Sequence, residues 1–351
     1  MAGAVASVLV QRAGDEEPAA VRAARVNPSP QVAQLLGRMT PEQKVKAVMA
    51  AGGGGAFGAV LISPQDWTAG PAAVRRLAAA PAKAPAAPLV IGTQEGGQYR
   101  AYADLPTLAT QLQIGDTASP EIARNQAAKQ AAALSGAGFD LNLGPVADVA
   151  TIDSPVADRA YGDDADLVSA LVGAALQGCR EGGVACAVSH FPGLGAASDD
   201  TALGPATVSL DEASLAARDL VPFRTAFEAG APAVVLSLAF YAAYDPVTPA
   251  ALSPTIATDL LRDELGFKGV AITDDLSSGA ITGGIGAPEA AVQALAAGAD
   301  MVTISNPTQA AQANEAIRAA VASGGIPATR LDDAAARVLE LKRKLGLLRK
   351  G

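Results

Sequence analysis

The sequence predicts an α/β protein built as one (β/α)8 TIM-barrel-like domain, and three observations carry that prediction. Eight short apolar runs alternate with longer Ala-rich helical stretches, the pattern of parallel strands buried on both faces and joined by crossover helices. No G-x-G-x-x-G opens a helix after the first run, which argues against an open dinucleotide-binding sheet. The length of 351 residues fits one large barrel, and no second core follows the last helix.

Taken in order, residues 1–30 read as an N-terminal leader that mixes charge, Ala and Pro without a period. The barrel domain is assigned to residues 31–351. It opens on Gln31-Val32-Ala33-Gln34-Leu35-Leu36, and Thr40, Pro41 and Gln43 fit a capping box with Pro at the first helical position. The strands are expected at 47–50, 58–62, 89–92, 139–143, 184–188, 233–238, 269–273 and 301–304. Helical segments are expected at 165–177, 253–264 and 288–297. Gly52 to Gly55 read as a flexible loop; no Lys-Ser/Thr follows to make a phosphate cradle. A final amphipathic helix at 331–348 ends in basic residues, which suit a helix C-terminus.

Composition narrows the function. Half the residues are hydrophobic and 17% are charged, enough for a large core. Lys and Arg number 26 against 35 Asp and Glu, a net charge of −9, so no basic face is available for nucleic acid. Cys179 and Cys186 are too few for a disulfide framework and lack the partners of a zinc site. With His190 as the single histidine, a His-rich metal centre is excluded, and neither metal nor cofactor is expected. No run approaches the about 18 apolar residues of a membrane span. The apolar start at residues 2–10 is short, and no Lys or Arg precedes it. The expectation is a cytoplasmic protein as written, with export left open if a signal has been removed.

In such a barrel the chemistry sits where strands end. The seventh run closes on Asp274-Asp275-Leu276, where two adjacent carboxylates point to opposite sides. One of them is either a nucleophile or general base, or both serve as cap and loop ion pair. The fifth closes on Ser189-His190-Phe191-Pro192-Gly193-Leu194-Gly195, with Asp199 and Asp200 on the loop beyond. Glu95 and Arg100 flank a Gly pair after the third run, positioned to pair with each other or to bind ligand. Arg159, on a later acidic loop, either clamps an oxygen-rich ligand or balances its neighbours. Several carboxylates, one His and one or two Arg suit carboxylate-based hydrolysis of a polar, sugar-like substrate. A binding protein remains the alternative.

With these residues in view, the chain resembles glycoside hydrolase family 3 in its single-barrel form, as in bacterial β-N-acetylglucosaminidases of cell-wall turnover. The motifs are Glu95-Gly96-Gly97, Gly144-Pro145-Val146-Ala147-Asp148-Val149, His190-Phe191-Pro192-Gly193, and Leu260-Leu261-Arg262-Asp263-Glu264-Leu265-Gly266-Phe267-Lys268-Gly269-Val270 running into Thr273-Asp274-Asp275-Leu276. They span nearly all but the leader. The resemblance implies retaining hydrolysis through a covalent glycosyl-enzyme, with Asp274 as nucleophile. It implies an acid/base dyad of aspartate and histidine in a loop of the form K-H-F-P-G-H-G-x-x-x-x-D-S-H. Asp200 matches the dyad aspartate, and Ala202 stands where the dyad histidine is expected.

Other positions depart from the pattern as well. Ser189 stands for a substrate-contacting lysine, Thr93 for an aspartate, Ala101 for an arginine and Leu238 for a histidine, while Arg100 falls one position early. The candidate substrate-binding residues are Arg159, His190, Ser189, Glu95 and Arg100. Three readings follow: a glycosidase with altered substrate or weakened acid/base, a catalytically silent barrel that binds a ligand or protein partner, or another reaction on an activated substrate.

Overall fold

The computed structural model describes residues 26–349 other than 55, 80–83 and 107, so the expectations for residues 1–25 fall outside the described residues. Eight parallel strands close a barrel: β1 (Met49–Ala51), β2 (Ala59–Leu61), β3 (Leu89–Gly92), β4 (Leu141–Val146), β5 (Ala185–Phe191), β6 (Ala233–Leu236), β7 (Val270–Asp275) and β8 (Met301–Ile304). Each strand pairs with its neighbours in sequence, and β1 pairs with β8 to complete the ring. The eight expected strands are therefore present, with shifted ends. The first starts later because the helix Pro41–Ala47, opened by the expected Thr40–Gln43 capping box, runs up to it.

The expected helices appear at Ala165–Gly182, Thr255–Glu264 and Ala287–Ala297, the second wound as a π-helix. The last runs Ala328–Lys344, and its buried Lys342 donates to the carbonyls of Gly58 (2.6 Å) and Ala87 (2.9 Å), tying it to the starts of β2 and β3. Gly52 is more constrained than a loose loop: a Cβ there would lie 2.0 Å from the Ser305 carbonyl oxygen, so only glycine lets the exits of β1 and β8 approach.

The barrel interior is filled by residues such as Leu61, Leu89, Ile91, Val235, Ile272 and Met301, so it is a packed core rather than a pore. A buried ion cluster closes its N-terminal end. Asp300 accepts from Arg262 (2.6 Å), Arg330 (2.9 Å), Arg337 (2.9 Å) and the Ala271 amide (3.0 Å). Burial opposes its charge, but the three guanidinium groups prevail and hold the carboxyl below its usual range. Arg262 also donates to the carbonyls of Phe267 and Gly269, so the arginine of that motif anchors the start of β7.

Cys179 and Cys186, too few for a disulfide framework, form one bridge with each other, which was not expected from the sequence; it ties the end of one helix to β5. Among the described residues no helix is long and apolar enough to cross a membrane.

Candidate active site

Three barrel ladders lose their register at the C-terminal end, between Leu143 and Val146, between Val188 and Phe191, and between Ile272 and Asp275. Such irregularities re-aim side chains, and here they lie where β4, β5 and β7 deliver Asp148, His190 and Asp274.

His190 follows Ser189 through a cis peptide bond at the end of β5, and both are buried. Its Nδ1 lies 2.8 Å from Oδ2 of Asp148, whose Oδ1 accepts the amides of His190 (3.1 Å) and Leu194 (2.8 Å). One buried carboxylate thus fixes both the imidazole and the turn beyond it. Burial disfavours the imidazolium, yet the Asp148 charge and hydrogen bond outweigh it and raise the His190 pKa above its ordinary value. Asp148 is held below its usual range: burial opposes its charge and is overcome chiefly by His190. The turn is tight enough that a Cβ on Gly195 would meet the Val149 carbonyl oxygen at 2.0 Å.

On the far side of the imidazole stands Arg159, whose Nη2 is 3.4 Å from His190 Nε2. An arginine only donates, so in the neutral ring Nε2 accepts and the proton sits on Nδ1 facing Asp148. The same guanidinium grips Glu95 with both arms, Nε to Oε2 at 2.8 Å and Nη2 to Oε1 at 2.7 Å. Such a fork is the strong form of this ion pair. Burial opposes the arginine's charge, and the Glu95 pair overcomes it, raising the guanidinium pKa further.

Glu95 is delivered by a short hairpin, Gln94–Gly96 with Tyr99–Arg100, pinned to β4 by Asn142. The Asn142 side chain accepts the Gln94 amide (2.9 Å) and donates to its carbonyl (3.0 Å). The partner of Glu95 is therefore Arg159. Of the two alternatives for Glu95 and Arg100, mutual pairing or ligand binding, the structure gives Glu95 a different partner, while Arg100 lies exposed on the hairpin.

At the exit of β7 the two carboxylates take different partners. Asp275 accepts the amides of Ser277 (2.9 Å) and Ser305 (3.0 Å), stitching the exits of β7 and β8. Among the described residues, Asp274 accepts only the amide of Asp275 (2.8 Å), and its charge reaches both Arg159 and His190. Glu95, Arg159, His190, Asp148 and Asp274 thus form one network.

Asp200 lies on the loop after β5, where its Oδ1 closes its own turn on the Ala202 amide (2.9 Å). That loop is fastened to the segment after Asp274: the amides of Gly279 and Ala280 donate to the carbonyls of Ala202 and Thr201, each at 3.2 Å. Asp148 was read only as part of a motif, not as a site residue. Its signal was available in principle, since the single histidine needs an acceptor, but pairing across 42 positions is not visible along a chain.

Comparison with known proteins gives the family. Residues 29–341 match the Glycosyl hydrolase family 3 N terminal domain. A "Beta-hexosaminidase" of Stenotrophomonas maltophilia (strain K279a) is 34% identical over 250 residues, covering 69% of this chain and 74% of that protein. An "Uncharacterized secreted glycosyl hydrolase" of Arthroderma benhamiae is 34% identical over 267 residues, covering 74% and 75%. Among solved structures, the β-N-acetylhexosaminidase of Beutenbergia cavernae superposes with a TM-score of 0.77 at 31% identity, covering 87% of this chain and 99% of that one. The family 3 β-N-acetylglucosaminidase of Paenibacillus sp. str. FPU-7 gives 0.81 at 30% identity over 89% of this chain; the chain spans only 64% of that enzyme. With the family match running over residues 29–341 and β-hexosaminidases 34% identical across most of its length, the chain belongs to glycoside hydrolase family 3, among the β-hexosaminidase-like proteins.

Proposed function

We propose that the chain is a retaining β-N-acetylglucosaminidase-like hydrolase in which Asp274 is the nucleophile. The observation that carries the reading is the division of labour at the β7 exit. Asp275 is consumed by backbone amides, while Asp274 keeps one oxygen uncommitted beside Arg159 and His190. Asp274 attacks the anomeric carbon as the glycosidic C–O bond breaks, forming a glycosyl ester, and water then cleaves the ester. Arg159, oriented by Glu95, and His190, oriented by Asp148, stand beside Asp274 as the proposed hydrogen-bonding groups for sugar hydroxyls.

Asp200 is the residue proposed to protonate the departing oxygen; with Ala202 where the family resemblance implies histidine, that function is expected to be weakened. General acid catalysis contributes about 10²–10⁴-fold, so activity is expected mainly on substrates with good leaving groups. The Cys179–Cys186 bridge supports an oxidising compartment and hence export.

One observation favours the alternative, a silent barrel that binds a ligand or protein partner: the polar groups largely satisfy one another, with Arg159 spent on Glu95 and Asp200 on its own turn. Release of nitrophenol from aryl β-N-acetylglucosaminide and aryl β-glucoside decides between them. Turnover that vanishes in Asp274→Asn supports the hydrolase. No turnover by the folded wild type supports the silent barrel, and turnover unchanged in the variant removes Asp274 from the mechanism.

A further inference from the structure

Beneath the His190 turn lies a second acidic side chain that the site just described does not use. Asp219, at the end of the π-helical turn Leu215–Asp219, is wholly buried, and neither carboxylate oxygen has a hydrogen-bond partner. Buried polar groups are nearly always paired, so an orphan carboxylate needs an explanation. It presses directly on the turn: a Cβ on Gly193, which has φ 126°, would lie 2.7 Å from the Asp219 Cβ and 3.1 Å from its Oδ1.

The groups facing it come from every neighbouring element. On its own element, Arg218 stands with Nη1 at 3.8 Å, while Nη2 of the same guanidinium is committed to the Val149 carbonyl. From the loop after β4 comes the negative charge of Asp148, which is bound to His190. From the short strand Phe240–Tyr241 comes Tyr241, whose hydroxyl donates to the Gly193 carbonyl at 2.9 Å. Two carboxylates therefore back one turn, and only Asp148 is supplied with donors.

We propose that Asp219 is a positioning residue that holds a proton in the folded protein, so that Asp148 and Asp219 carry one negative charge between them beneath the His190–Gly193 turn. Losing that proton places a second, unpaired charge under the turn and marks the alkaline limit of the pocket. The pKa direction agrees with the geometry: burial raises the carboxyl, Arg218 and the residue's own backbone amide oppose, Asp148 reinforces, and the result is about 7 against 3.8 for an ordinary aspartate. Because the folded form keeps a proton that the unfolded chain releases, this group makes the wild type progressively less stable as pH rises from about 4 to about 7, with no further loss above. The positioning function rests on the proposed pocket; the protonation state does not.

The test compares wild type with Asp219→Asn by urea denaturation between about pH 5 and pH 8, alongside the imidazole signals of the single histidine by NMR. The expected result is that the folding equilibrium constant of the variant, relative to that of wild type, grows about tenfold per pH unit up to about pH 7 and then levels. His190 should also show a second inflection near pH 7 in wild type that the variant lacks. Should the Asn variant not fold, Asp219→Leu supplies the same comparison, since it too removes the titrating group. A difference that does not vary with pH, or a wild type increasingly favoured at high pH, would mean an ionised Asp219 paired with Arg218 and overturns the proposal. An absence of glycosidase turnover bears on the proposed hydrolase alone, because neither readout here uses activity.

Discussion

Replacing Asp148 by Asn tests the architecture of the site most directly. Asparagine retains an acceptor for the His190 and Leu194 amides but puts an NH2 group where Oδ2 now faces Nδ1 at 2.8 Å. The imidazole then has no good tautomer. With the proton on Nδ1, two donors oppose each other. With the proton on Nε2, the N–H meets the Arg159 Nη2 at 3.4 Å, again donor against donor. Removing one partner of a buried charged pair costs about 3–5 kcal/mol, and both side chains here are almost fully buried.

The charge change also acts on His190. Burial and Arg159 both push its pKa down, and Asp148 is the larger of the two carboxylates holding it up. In the variant the pKa is expected to fall below 6.5, the ordinary value. In the wild type, the stability from this raised pKa is fully present below pH 6.5 and is lost as pH rises through the folded value. On the acid side the depressed Asp148 adds stability above pH 3.8, lost as pH falls through its folded value. Urea denaturation at about pH 6 reads the first quantity, and NMR titration of the only histidine in the chain reads the second without assignment work. A loss under about 1 kcal/mol, or a His190 pKa still above 6.5, would refute the claim that Asp148 governs this imidazole.

Two further outcomes complete the set. Introducing histidine at Ala202 is expected to raise turnover of glycosides with poor leaving groups by about 10–10³-fold, below the full general-acid contribution because the neighbouring binding positions have also changed. No gain in kcat would place the deficit in binding instead. Replacing Cys179 and Cys186 by Ser together should lower stability by about 2–3 kcal/mol, the scale for a short closed loop, with wild type under reducing conditions matching the variant. Equal denaturation midpoints for oxidised and reduced wild type would show that the bridge contributes nothing.

The linear pattern of the chain was enough for the barrel, whose strand runs announce themselves by period and length. It left open which of Asp274 and Asp275 bears chemistry; Asp274 as nucleophile is what the family resemblance implies. Strand ends were less legible: in the last residues of β4, β5 and β7 the ladders shift register, and no period marks where a bulge falls. Helix type was likewise hidden, as Thr255–Glu264 has helical spacing whether wound as α or π.

What the sequence determined by itself was which residue types stand at the strand exits and that Asp274 and Asp275 leave β7 on opposite sides. Only the tertiary structure decided their partners. Glu95 turned from its sequence neighbour Arg100 to Arg159, 64 positions away, His190 took Asp148, and Cys179 took Cys186. The physical reason is that side-chain direction along a strand follows from local backbone geometry, whereas a charge or hydrogen-bond partner depends on which loops the closed barrel brings together and on how much water it leaves between them.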